Sequence, residues 1–183
     1  RLIQHADMNM YKEKLLHQQS RRSGIVQTLR SALAARAYGE EHMGNVSHMI
    51  HMAYVMGRAL YLERKQLIDM QLLVEFHDIG DIGIPEGILI KQEPLTKEEW
   101  QEVRRHCEIG YRIAQSTSEL MPIAELILKH HEWWNGQGYP LGLSGEEIPL
   151  ECRILAIADA YDAMTSDRPY RKAMSHEEAI EEL

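Results

Sequence analysis

The chain has 183 residues, of which 44% are hydrophobic and 26% charged, with a net charge of −8, a composition that suits one globular domain with or without a fragment of another. No apolar run reaches the roughly 18 residues of a membrane span, and the acidic balance argues against a nucleic-acid polymer as partner, which calls for a basic face. Two cysteines, Cys107 and Cys152, cannot build a disulfide framework and fit a reducing, cytoplasmic setting.

The chain opens on Arg1, so a piece of a longer protein is expected. Residues 1–22 are polar and Gln-rich and stand apart as a tail and linker helix. From 23 to 38, Ile25, Leu29 and Leu33 recur every four residues, one apolar stripe of a helix that serves a core or a homodimer equally well. Helices are predicted over 45–62 and 64–77, the latter with Leu67, Met70 and Val74 on one face. Thr96 to Glu99 reads as a capping box, opening a helix that should run to about Gln115. Pro122 suits the first turn of a helix ending at His131. A further helix is predicted over 151–164, and Ser175 with Glu178 caps one more. Glycine and proline gather at 80–94 and 136–149, and no stretch alternates as a strand does. The fold class is therefore all-α: one helical bundle over 23–183 with a long loop and an extra N-terminal helix.

Histidine is the unusual component, with ten copies against a single Phe. His77 and Asp78 close one helix, His106 falls mid-helix on an apolar side, His130 and His131 close another, Asp159 lies in an apolar stretch, and His42 precedes the helix expected near Asn45. Buried charges must be paired or bound to metal. Imidazole with carboxylate suits borderline divalent ions: iron or manganese first, with nickel, zinc or magnesium as further candidates. Seven such side chains are too many for one four-coordinate zinc, and suit two ions about 3.5–4 Å apart, with Asp78 as the natural bridge. His48 and His51 read as structural, and His5, His17 and His176 as surface residues.

These residues carry a resemblance. From Leu33 onward the chain resembles the HD-GYP domain of the HD phosphohydrolase superfamily. The shared motifs are His77-Asp78-Ile79-Gly80, Ile84-Pro85, Leu95-Thr96 with Glu99, His130-His131-Glu132, Gly138-Tyr139-Pro140, the run from Gly145 to Pro149, and the run from Ala158-Asp159 to Arg171. The resemblance implies hydrolysis of cyclic di-GMP to pGpG or GMP in bacterial second-messenger signalling. It makes His42, His77, Asp78, His106, His130, His131 and Asp159 the ligands of a two-metal centre, and Arg168 and Arg171 the contacts of substrate phosphate. Gly138, Tyr139 and Pro140 become a wall or partner surface beside the site. Some members add a third metal through a glutamate where this chain has Tyr38, so two ions are expected. Ala6 to Lys14 in turn resembles the closing helix of GGDEF-type diguanylate cyclase domains, which implies such a domain in cis.

The chain departs from the family at Asp81, where a lysine is usual, and at Trp133, Asn135 and Asn45. A carboxylate at 81 reverses a charge expected at the reacting phosphate, so Asp81 joins Asp78 as a candidate catalytic position. It also keeps two alternatives open: a silent cyclic-dinucleotide sensor, and a phosphodiesterase for another cyclic dinucleotide.

Overall fold

The computed structural model describes residues 24–35, 39–166 and 172–183, with the side chains of the middle stretch described from Val46 onward. Nine α-helices lie among the described residues: α1 (Gly24–Ala34), α2 (Gly39–Ala59), α3 (Arg64–Phe76), α4 (Glu86–Leu89), α5 (Lys97–Arg104), α6 (His106–Gln115), α7 (Ala124–Lys129), α8 (Leu150–Thr165) and α9 (His176–Glu182). Short 3-10 turns over Ile79–Gly83, Met121–Ile123 and Gly145–Glu147 join them. No strand forms among these residues; one isolated bridge, Asn135 to Ser144, closes the neck of the long loop. The all-α architecture is as the sequence predicts, and no described helix is long and apolar enough to cross a membrane.

Elements form where the local signals place them. Thr96 accepts from the Glu99 amide at 3.2 Å and Glu99 returns a bond to the Thr96 amide at 2.7 Å, starting α5. Ser175 and Glu178 do the same for α9. The stripe on α1 divides differently from the expected one. Val26 and Leu33 are buried and Leu29 packs on the core, while Ile25 stays 62% exposed. Phe76, Met70, Leu73, Ile79, Leu120, Ile123, Ile127, Ile154 and Leu155 fill the interior where α3, α7 and α8 meet.

Two expected boundaries are corrected. The helix foreseen from Thr96 to Gln115 breaks at Arg105, whose amide donates to Glu102 O at 3.1 Å as in a 3-10 turn, so His106 is the first residue of α6 rather than a mid-helix position. The helix foreseen from Asn45 begins at Gly39, because residues 39–44 continue the helical backbone, and His42 is therefore inside α2. Its side chain lies outside the described residues, as do Tyr38, Arg168, Arg171 and the whole of 1–23.

The Ile79–Gly83 turn lies directly on α6. A Cβ on Gly80 would overlap the backbone carbonyl of His106 and come within 2.8 Å of the Gly110 amide, and one on Gly110 would come within 2.8 Å of Ile127. Glycine at 80 and 110 is what lets the strand-free turn after His77 touch the helix that carries His106.

Candidate metal centre

Three helix ends converge. His77 follows α3, Asp78 follows His77, His106 opens α6, and His130 and His131 follow α7. Asp78, His106, His130 and His131 each place a ligating atom within 4.8 Å of the others. His77 Nε2 lies 3.2 Å from Asp78 Oδ2, and the Nε2 atoms of His106 and His130 both lie 3.7 Å from Asp78 Oδ1. Asp78 is thus the shared carboxylate of three imidazoles, with His131 stacked on His130 at 4.1 Å between ring centres.

The backbone fixes which nitrogen faces inward. Nδ1 of His77 is 3.0 Å from Val74 O, Nδ1 of His106 is 2.7 Å from Val103 O, and Nδ1 of His130 is 2.6 Å from Ile127 O. A carbonyl only accepts, so each Nδ1 carries a proton; Nε2 of His106 and of His130 is left to present a lone pair, whereas Nε2 of His77 holds a proton against Asp78 that a metal would have to displace. The Nε2 atoms of His106 and His130 then face each other at 3.2 Å in a buried site, an arrangement that repels unless a cation or a shared proton sits between them. Ring N–H to backbone carbonyl is also the support that metal-ligating histidines ordinarily have. The donor set therefore fits divalent metal.

Electrostatics agree with that fit. Burial alone would lower the His77 pKa, but Asp78, then Asp159 and Val74 O, together raise it to about 9. Burial opposes ionisation of Asp78, yet His77, His130 and His106 hold its carboxyl well below the usual range. Burial first, then the cost of placing a second positive charge beside the His130 ring, pushes His131 down to about 2, and burial also lowers His130. Both are neutral imidazoles, the ligating form.

The remaining sequence candidates fall around this cluster. Asp159 is half-buried on α8 and close enough to His77 to act on it electrostatically, though it is not within the four-residue group. Asp81 is 4% exposed and its charge reaches Cys107 and Tyr139. Tyr139 stacks on His131 with ring centres 4.9 Å apart and an interplanar angle of 31°. Gly138 cannot carry a Cβ, which would strike the backbone of Glu132 and Trp133. Pro140 is exposed. His48 is exposed near Tyr161, and His176, also exposed, bonds the Tyr161 hydroxyl at 2.8 Å.

Two residues that the sequence reading gave no role belong to the site. Glu132, 4% exposed, accepts from the amides of Leu141 at 2.6 Å, Gly142 at 3.2 Å and Leu143 at 2.8 Å, tying the long loop to the residue after His131. A carboxylate between a His pair and a glycine-rich loop was its signal, since loop amides need acceptors. Arg104 lies over the Tyr139 ring at 4.9 Å, and nothing in the one-dimensional pattern pairs positions 104 and 139.

Comparison with known proteins supplies a context. A family model described as an HD domain matches residues 8–183. The chain is 46% identical over 117 residues to "Cyclic di-GMP phosphodiesterase" of Thermotoga maritima, covering 63% of this chain and 32% of that protein. It is 39% identical over 137 residues to "Cyclic di-GMP phosphodiesterase response regulator RpfG" of Xanthomonas campestris (74% and 36%). It is 39% identical over 144 residues to "3'3'-cGAMP-specific phosphodiesterase 2" of Vibrio cholerae (72% and 27%). The chain thus spans about a third of the length of these relatives. A crystal structure of a cyclic GMP-AMP specific phosphodiesterase of V. cholerae superposes with a TM-score of 0.61 at 24% identity, over 84% of this chain and 42% of that one, a likeness of fold.

Proposed function

Because the chain belongs to the HD domain family, we propose that it is a metal-dependent phosphodiesterase acting on cyclic di-GMP in the bacterial cytoplasm, yielding pGpG or GMP. The observation that carries this reading is the buried pair of Nε2 lone pairs 3.2 Å apart on His106 and His130, with Asp78 between them and His77. The relatives named for cyclic di-GMP and 3'3'-cGAMP hydrolysis support the substrate class.

His42, His77, Asp78, His106, His130, His131 and Asp159 would hold two divalent ions, iron or manganese first, with Asp78 shared by both. When bound, such ions polarise phosphoryl oxygens and lower the pKa of a coordinated water toward about 7. The chain's own part is to orient the imidazoles through backbone carbonyls, to keep His130 and His131 neutral, and to close one side of the cleft with Tyr139. Arg168 and Arg171 would contact substrate phosphate from the segment after α8, matching planar guanidinium to oxyanion. A GGDEF-type domain preceding residue 23 is part of this proposal, as is a homodimer through α1, where Ile25 is the residue of the stripe left exposed.

A second reading, a sensor that binds the dinucleotide without turnover, draws on the buried Asp81 carboxylate, whose negative charge would oppose an incoming phosphate. The manganese-loaded protein incubated with cyclic di-GMP, and in parallel with 3'3'-cGAMP, decides by chromatography of products. Linear dinucleotide above a metal-only blank establishes the enzyme. Saturable binding with no product leaves the sensor.

A further inference from the structure

Arg104 and Arg105 are consecutive, and their fates differ. Arg105 is paired with Glu102, Nη1 lying 2.7 and 2.8 Å from the two carboxylate oxygens. Arg104 meets no carboxylate among the described residues; its contact is the Tyr139 face at 4.9 Å, and it is exposed. A guanidinium lying against an aromatic ring keeps its N–H edges free, so it is held in place without being neutralised.

Its place is set by a ladder of rings. His131 belongs to the ligand group, Tyr139 stacks on His131, and Arg104 covers Tyr139. The Tyr139 amide donates to His131 O at 3.1 Å, so the ring cannot drift from the centre. The guanidinium therefore stands at the rim, two stacking steps out from the ligand atoms. The negative charges nearer in are Asp78, Asp81 and Glu132, all of which are felt by Cys107. An uncommitted cation at that radius has no structural debt to settle with any of them.

Resting on the phosphodiesterase reading above, we infer that Arg104, braced on Tyr139, is the binding residue for the second, non-scissile phosphodiester of a cyclic dinucleotide. Such a substrate carries two phosphodiesters on opposite sides of its macrocycle. When one occupies the metal centre, the other must lie away from it, where this guanidinium waits. A substrate with a single phosphodiester has nothing to offer it.

The test compares cyclic di-GMP with bis(p-nitrophenyl) phosphate, which has one phosphodiester, using the manganese-loaded chain. Arg104→Ala should raise KM for cyclic di-GMP roughly ten- to hundredfold, as loss of a charge-assisted bond does, with the loss on KM rather than kcat. The ratio of the two KM values should climb about tenfold or more. Arg104→Lys should recover part of it, and Arg105→Ala should leave the ratio within roughly twofold of the parent. An equal effect on both substrates, a ratio unmoved by Arg104→Ala, or a fall in bound metal in that variant would overturn the inference while the phosphodiesterase reading stands. A parent protein that cleaves the small diester yet neither cleaves nor binds cyclic di-GMP would overturn both.

Discussion

His77 carries a proton that a metal ion must displace. Its folded pKa of about 9 lies above the ordinary 6.5, with burial opposing the rise and Asp78, Asp159 and Val74 O outweighing it. A raised pKa means that the proton stabilises the metal-free fold fully below about pH 6.5, and that this contribution fades as pH rises through about 9. Metal affinity runs the other way: it should strengthen by up to about tenfold per unit from pH 7 to about 9. Calorimetric titration of manganese in buffers of different ionisation enthalpy should show close to one proton released at pH 7, declining above pH 9. Affinity flat across that range, with no proton released, would contradict the coupling. Asp78→Ala, which removes the carboxylate shared by three imidazoles, should abolish tightly bound metal and turnover together, read by elemental analysis of the dialysed protein. Asp81 is a different case. A carboxylate facing a phosphate about 10 Å away costs roughly 1–2 kcal/mol at an effective dielectric near 20, so Asp81→Asn should lower KM for cyclic di-GMP by about tenfold. A KM that does not fall would place the Asp81 charge away from substrate.

At the scale of elements, the capping boxes at Thr96 and Ser175 were legible because each is a local signal, complete within four residues. The break at Arg105 was not. No glycine or proline lies between Trp100 and Ile109 to interrupt helical propensity, and the interruption goes with a contact to Gly80, far away in sequence. The site inherits that contact. Gly80→Ala should push the Ile79–Gly83 turn off α6 and displace Asp78 from His106, and a misplacement of about 1 Å can cost on the order of a hundredfold in rate. Circular dichroism should retain its helical signal while metal content and activity fall; a fully active Gly80→Ala protein would mean that the turn is not seated on α6. Glu132→Ala should leave the amides of Leu141, Gly142 and Leu143 without their acceptor, at a cost of roughly 1–3 kcal/mol for each that stays buried. Faster hydrogen exchange confined to those amides is the expected signature.

Over the whole molecule, helical periodicity predicts the class of fold, and an excess of histidine in apolar surroundings predicts a metal centre, because both are properties of composition and spacing. What the linear pattern lacks is distance. It named His77, Asp78, His106, His130 and His131 from residue type and neighbours, and the structure brings them to one point. Asp159 joins through its field on His77. Glu132 and Arg104, which have no partner within ten residues except in a folded loop, escaped it. The net charge of −8 likewise says little about a cleft where single cations count, since charges more than about 10 Å apart on the surface are screened at ordinary ionic strength.

The three imidazole-to-carbonyl bonds have a second life. Val74, Val103 and Ile127 sit in the closing turns of α3, α5 and α7, where main-chain oxygens lose their partners, and the rings of His77, His106 and His130 are what cap them. Chelation strips an ion but leaves these caps in place, whereas alanine at any of the three positions removes ligand and cap at once. Depleted protein and the ligand-deletion mutant are therefore not interchangeable blanks: the first should refill on adding manganese, and the second should melt earlier even when no metal is present in either sample.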